Sequence, residues 1–252
     1  MIALGTNTQL KTDYVPYNLY VSHLINHQGI CEIRFVGITG SQYPERRKGL
    51  KEQIENLKKQ IQFNEAEHIY TKNGVVLPSV TQIMNPLYDA VYGKANMNAS
   101  DNGKSKGKEI HRAIDDYCDF GIIDISEEYK PYLYSFIKYL DDKGLTVVAS
   151  EVMLCHPVYN YAGTIDIIAT NPKNQYVMID NKTGGLQALL HGIQLQAYTD
   201  MWSANKMPEI AYKVALGLSD KGYEEKVYSK YDAKAKSVFD ACYKIHNFKK
   251  EL

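Results

Sequence analysis

The sequence predicts an α/β protein: a central mixed β-sheet flanked by α-helices, preceded by a small N-terminal extension. Three observations predict it. Several long segments carry apolar residues at helical spacing, short β-branched runs alternate with them, and the order from residue 108 onward is helix, helix, three strands, helix, two strands, helix. That order calls for one sheet covered by helices. Of the 252 residues, 44% are apolar, enough for a sizeable core and too many for a dominantly disordered chain.

Residues 1–62 read as a separate extension of unknown role. Within it GICEIRFVGI (29–38) has strand character, and KGLKEQIENLKKQIQ (48–62) sets Ile54, Leu57 and Ile61 at helical spacing. The main domain is expected over residues 63–252. Near its start, in EHIYTKNGVVLPSVTQIM (67–84), Asn73-Gly74 separates two short β-like runs, a strong hairpin signal. GKANMNASDNGKSKGK (93–108) is rich in Gly, Asn, Ser and Lys and reads as a mobile loop. A helix is expected to start near Lys108 and stop at Gly121, with Ile110, Ile114 and Tyr117 on one face and His111 and Asp115 on the neighbouring stripe.

EEYKPYLYSFIKYLDDKG (127–144) is a second helix, interrupted near its start by Pro131 and closed by Gly144. Strands follow at 145–156, 163–169 and 175–182, the last two joined through Asn171-Pro172-Lys173-Asn174, a loop of good turn chemistry. A helix over about 186–204 carries Ile193, Ala197 and Met201. Strands at 209–218 and 223–229 and a helix at about 232–250 complete the chain. There is no internal repeat.

Composition narrows the function classes. Basic and acidic residues balance at 29 each, so any nucleic-acid site must come from local patches. The four cysteines, Cys31, Cys118, Cys155 and Cys242, are scattered with no CxxC or Cys/His pairing, which argues against a zinc ribbon and for free thiols in a reducing compartment. The opening MIALGTNTQLKTDY has no basic n-region or apolar h-region, and no stretch approaches the ~18 apolar residues of a membrane span. The expectation is a soluble, intracellular protein that engages no membrane.

The segment GTIDIIATNPKNQYVMIDNKTGG (163–185) places two acids and a lysine inside strands that are otherwise apolar on both faces. In an antiparallel pair centred on Lys173, Asp166 lies opposite Asp180, and Lys182 follows two residues later on the same face. A slip of one residue would break that convergence. Two neighbouring carboxylates repel unless a cation lies between them. A hard divalent ion with oxygen ligands, Mg²⁺ or Mn²⁺, suits an Asp/Asp pair, and a lysine beside it offsets charge developing on a phosphate. An isolated D-x-K is ordinarily a cross-strand charge pattern on a half-exposed sheet. The apolar flanks on both strands make burial, and hence a site, the better reading here.

These residues resemble the PD-(D/E)XK nuclease superfamily, specifically its RecB-like exonuclease branch. GTID, then IDNKT, then QLQAY (194–198), and upstream GKEIHRAID (107–115), match that branch's four motifs in order. Segment 67–84 is further similar to the stretch preceding that upstream helix in phage-encoded and mitochondrial exonucleases of the branch. The resemblance covers about residues 67–200 and implies a restriction-endonuclease-like core. It also implies Asp166 and Asp180 as metal ligands, Lys182 as the catalytic lysine, and His111 as a further ligand or a metal-proximal group. Glu151 would position water or metal, and Gln194 and Tyr198, one helical turn apart, would support the lysine or contact a DNA phosphate. Outside the motif, His111, Glu151, Gln194 and Tyr198 would read as ordinary packed or surface residues. His156 and His191 are read as structural or surface residues. Some relatives tether an iron–sulfur cluster; the scattered cysteines here imply none.

The implied activity is a Mg²⁺- or Mn²⁺-dependent deoxyribonuclease, a DNA exonuclease acting on strand ends in recombination or replication, with a partner protein from one of those processes possible. The alternatives are an endonuclease or RNA-directed nuclease of the same superfamily, and a non-catalytic nucleic-acid-binding module. Lys104, Lys106 and Lys108 in GKSKGK sit where a phosphate backbone would approach, or equally in a solvated loop. The 21 tyrosines against 6 phenylalanines suit base stacking, although most are expected in the core.

Overall fold

The computed structural model describes residues 20–25, 31–36, 44–65, 67–92 and 101–251, with side chains from residue 48 onward except at Tyr92, Asp101, Asn102, Lys104, Lys250 and Glu251. Two compact units divide at Arg46/Arg47. In the first, β1 (Tyr20–Ile25) and β2 (Cys31–Val36) form an antiparallel hairpin with Tyr20 opposite Val36 and Ile25 opposite Cys31. The strand expected at 29–38 is β2. The boundary expected from the sequence lies at 62/63, and the compact units divide at 46/47. Helix α1 (Pro44–Lys58) sends Leu50 and Ile54 into the main core, both 4% exposed, so most of it belongs with the second unit.

That second unit begins with a small antiparallel sheet of β3 (Gln62–Asn64), β4 (Ile69–Lys72) and β5 (Val75–Leu77). Its β4–β5 turn has Asn73 at φ 51° and Gly74 at φ 77°. Two consecutive left-handed residues are what a two-residue hairpin turn demands, which is why Asn-Gly occupies it. Next come α2 (Val80–Ile83) and α3 (Asn85–Tyr92); Ser79 and Gln82 cap α2 reciprocally, side chain to backbone in both directions.

Helix α4 (Asp101–Phe120) starts well before the expected Lys108. The 101–108 part of the expected loop is thus helical, and residues 93–100 lie outside the described residues. Lysines are good helix formers, and Gly107 lies inside the helix, where a Cβ would meet Thr183 Oγ1 at an ordinary contact distance of 3.5 Å. Gly121 ends the helix at φ 69°, as expected. In α5 (Lys130–Lys143) Pro131 lies in the first turn, so it opens the helix and does not interrupt it. Gly144 closes α5 in the left-handed conformation.

The main sheet contains β6 (Thr146–Cys155), β7 (Ala162–Thr170), β8 (Tyr176–Lys182), β9 (Ile210–Ser219) and β10 (Gly222–Ser229), in spatial order β10-β9-β8-β7-β6. Three pairings are antiparallel; β8 and β9 run parallel, joined through α6 (Ala188–Ala204). The sheet is therefore mixed, as expected. Side chains of α1, α2, α6 and α7 (Ala233–Glu251) pack on one face, and those of α4 and α5 on the other. Each face has its own apolar core, which explains why β8 is apolar on alternate residues in both directions.

Candidate metal centre

The β7–β8 ladder pairs Thr170 with Tyr176 and Ile167 with Ile179. This is the register centred on Lys173 that the sequence predicts. Asn171 sets it locally: its Oδ1 accepts from Lys173 N–H and Gln175 N–H, both at 3.0 Å. The ladder stops one residue before Asp166 and Asp180. At that point the pleat of β7 is interrupted. Ile165 and Ile168 pack in the core beneath α6, whereas Ile167 and Ala169 pack in the core beneath α4 and α5, so the strict two-residue alternation skips here.

A second irregularity lies alongside on β6. Glu151 adopts φ 45°, between Ser150 and Val152, which pair with Ile167 and Ile165. A left-handed glutamate within a strand costs on the order of 1–3 kcal/mol and persists only where its surroundings require it. Here it turns the carboxylate toward α4. His111 Nδ1 stands 3.9 Å from Glu151 Oε1 and 3.7 Å from Asp166 Oδ2. The three residues thus offer one imidazole nitrogen and two carboxylates within 4.8 Å of one another.

Asp180 and Lys182 complete the constellation without joining that trio. Lys182 Nζ lies 2.7 Å from Asp180 Oδ2, an ion pair that gives this buried carboxylate oxygen its charged partner. Asp166 Oδ2 instead accepts from Asn181 N–H at 2.6 Å. The expected single cluster of Asp166, Asp180 and Lys182 is therefore arranged as two adjacent groups: Asp166 with His111 and Glu151, and Asp180 with Lys182. Between them Asn181 buries an amide whose Nδ2 and Oδ1 lack hydrogen bonds.

The electrostatics follow from burial and like charge. Burial raises the Asp166 carboxyl above the usual range; His111 opposes this, while Asp180 and Glu151 add to it. Burial would lower the His111 imidazole, but the Asp166 and Glu151 carboxylates outweigh it and carry it up to about 9. Lys182 follows the same logic: burial opposes its charge, Asp180 and then Asp166 restore it, and its pKa ends above the ordinary lysine value. A lysine so held is a fixed cation at neutral pH. It can steady negative charge but not serve as a base.

The donor set fits a divalent metal. Carboxylate oxygens suit Mg²⁺ and Mn²⁺, and the imidazole favours Mn²⁺ of the two. Asp180, already paired with Lys182, adds a further carboxylate near these donors.

The other expected residues are distributed less uniformly. Gln194 Nε2 donates to Tyr198 Oη at 3.0 Å, and both residues are buried on α6. The Tyr198 ring lies against Gly163, where a Cβ would come within 2.7 Å of Cε1. The glycine of GTID is thus needed for the approach of α6 to β7. Lys106 is turned onto α5, donating to Tyr132 Oη with its ammonium 4.0 Å from the ring centroid. Lys108 pairs with Glu65 at 3.3 Å, and the Lys104 side chain lies outside the described residues. Neither described lysine faces the metal-ligating trio.

Two residues enter the site that the sequence reading left out. Tyr70 on β4 shares a hydrogen bond with Thr164 Oγ1 at 3.0 Å, and its hydroxyl is shifted upward by burial, with Glu151 and Asp166 adding to the effect. His191 on α6 accepts from Gln187 N–H through Nδ1 at 3.3 Å, and burial followed by Lys182 pulls it down to about 4. It stands three residues before Gln194, on the same helical stripe, which is a signal the sequence does carry. Tyr70 has none, because it arrives from the small sheet.

No known family profile matches the chain, and no curated protein matches it. Among solved structures the chain is similar to one titled "Crystal structure of SSO0001", with 14% identity, a TM-score of 0.37, and coverage of 80% of this chain and 85% of that one.

Proposed function

We propose that the chain is a metal-dependent DNA exonuclease of the PD-(D/E)XK type, hydrolysing phosphodiester bonds at strand ends in recombination or replication. The observation that carries the reading is the approach of His111, Glu151 and Asp166, from three different elements, beside the buried Asp180–Lys182 pair. Mg²⁺ or Mn²⁺ bound there would supply Lewis acidity toward the phosphodiester and acidify water. Asp166, Glu151 and His111 would hold the ion, with Asp180 adjacent. Lys182, a permanent cation, steadies the negative charge that grows on the phosphate and orients the attacking water. Gln194 and Tyr198 hold α6 against β7 beneath that lysine.

The test is degradation of linear DNA with Mg²⁺ or Mn²⁺, with covalently closed circles and single-stranded RNA in parallel. An exonuclease degrades the linear DNA and leaves the circles. Cleavage of circles makes the protein an endonuclease, and preference for RNA changes the substrate. Lys182→Ala and Asp180→Asn should each lower the rate by roughly 10²–10³-fold while circular dichroism stays native. Full activity in either variant, or in EDTA, rules the mechanism out.

A further inference from the structure

A second concavity lies outside the metal-ligating trio. It is a cavity of about 600 Å³ bounded by the β4–β5 hairpin, the 157–160 turn and the C-terminal part of α7. Its polar lining comprises Lys72, Asn73, Asn160 and Asn247, with the rings of Tyr159 and Tyr243, and includes no carboxylate. Three carboxamides can each donate and accept, which is what the edge of a nucleobase requires. Tyr159 supplies the flat surface: it is 48% exposed, and its ring is braced by His156 at 4.6 Å and Tyr243 at 5.6 Å between centroids. Tyr243 Oη donates to the Tyr159 carbonyl at 2.6 Å, fixing the turn on α7. The Lys72 ammonium donates to Cys155 Sγ at 3.3 Å. A thiol is a weak acceptor, so a phosphate oxygen would compete for that ammonium with advantage.

One strand connects the cavity's Lys72 with the metal centre. Strand β6 carries Glu151 at one position and Cys155, the partner of Lys72, four residues on. At ~3.3 Å per residue that is about 13 Å, the rise of roughly four stacked nucleotides at ~3.4 Å each. Building on the nuclease reading above, we infer that this cavity binds an unpaired nucleotide of the same DNA strand, with its base on Tyr159, its edge on the asparagines and its phosphate on Lys72. The substrate at the metal centre is then a single-stranded end.

The full chain in EDTA should bind oligothymidylates with an affinity that steps upward once the strand exceeds about four nucleotides. Tyr159→Ala should remove the step and weaken a twelve-residue strand about tenfold or more, whereas Tyr159→Phe keeps both. Lys72→Met should lower the salt dependence for the long strand only. 2-Aminopurine moved along the strand should be quenched at one position, and that quenching should vanish in Tyr159→Ala. An affinity that rises smoothly with length, a Tyr159→Ala protein that binds like the wild type, or blunt duplex bound as tightly as single strands overturns the assignment. If the wild type cleaves linear DNA but Tyr159→Ala is silent, the cavity assignment alone falls. A wild type that neither binds nor cleaves DNA with any divalent cation removes the nuclease reading and this inference together.

Discussion

Glu151 and His111 show how single side chains decide the chemistry. Glu151 accepts a left-handed backbone at φ 45° inside a strand, and the result is a carboxylate beside an imidazole delivered by a helix. His111 is carried up to about 9 by those carboxylates after burial has opposed it. Below that value the metal-free site holds a protonated imidazole, and a metal ion must displace the proton to bind. We therefore expect Mn²⁺ affinity to rise with pH up to about 9 and binding at pH 7.5 to release about one proton. Calorimetry in two buffers of different ionisation enthalpy reads that number directly, and His111→Gln should change it. Equal heats in both buffers for the wild type would show that His111 is not a ligand.

At the scale of elements, α6 joins the sheet through polar groups as well as apolar ones. Lys213 on β9 is fully buried and donates to Gln196 Oε1 at 2.7 Å, and the same oxygen accepts from Asp232 N–H at 2.8 Å, tying β9, α6 and the start of α7 together. Burial pulls the Lys213 ammonium down to about 8, with Asp232 and Asp200 opposing. Its folded pKa is thus below its unfolded one near 10.5. Below pH 8 both states are protonated and the folded state bears the whole burial penalty. Between about 8 and 10.5 the unfolded chain binds more protons, so stability rises with pH, and above that window the contribution is flat. Lys213→Met leaves Gln196 Oε1 bonded to Asp232. We expect the variant to match or exceed the wild type in Tm at pH 7, and their difference to close as pH rises through the window, followed by thermal melts. The elements themselves were legible from periodicity and turn chemistry. The start of α4 was not, because its lysine- and glycine-rich first turns have no apolar stripe.

At the scale of the whole molecule, the compact unit runs from Arg47 to Leu252 and includes most of α1. Leu50 and Ile54 each bury a full aliphatic side chain, worth about 1.5–3 kcal/mol apiece, against a total stability of about 5–15 kcal/mol for a domain. A chain beginning at residue 44 should unfold cooperatively with nearly the Tm of the complete chain. One beginning at residue 63 should melt roughly 10 °C lower or more, by calorimetry. Equal melting of the two would show that α1 contributes nothing to the core. Among the described residues no helix is long and apolar enough to cross a membrane.

Local chemistry determined a good part of this: the Asn-Gly turn, the glycine stops, the alternation of helices and strands, and the hairpin register centred on Lys173, each set by residues a few positions apart. That register is why Asp166 and Asp180 were legible as neighbours. Tertiary structure decided which groups meet. His111 reaches Asp166 because α4 packs on one face of the sheet; Tyr198 reaches Gly163 because α6 packs on the other; and Glu151 faces α4 through a backbone reversal that no strand pattern encodes. The division of the expected cluster into a His111–Glu151–Asp166 trio and a separate Asp180–Lys182 pair has the same origin. Register is a property of two adjacent strands, but the direction of a carboxylate at the end of a ladder depends on where the pleat breaks and on what the covering helices bring to it.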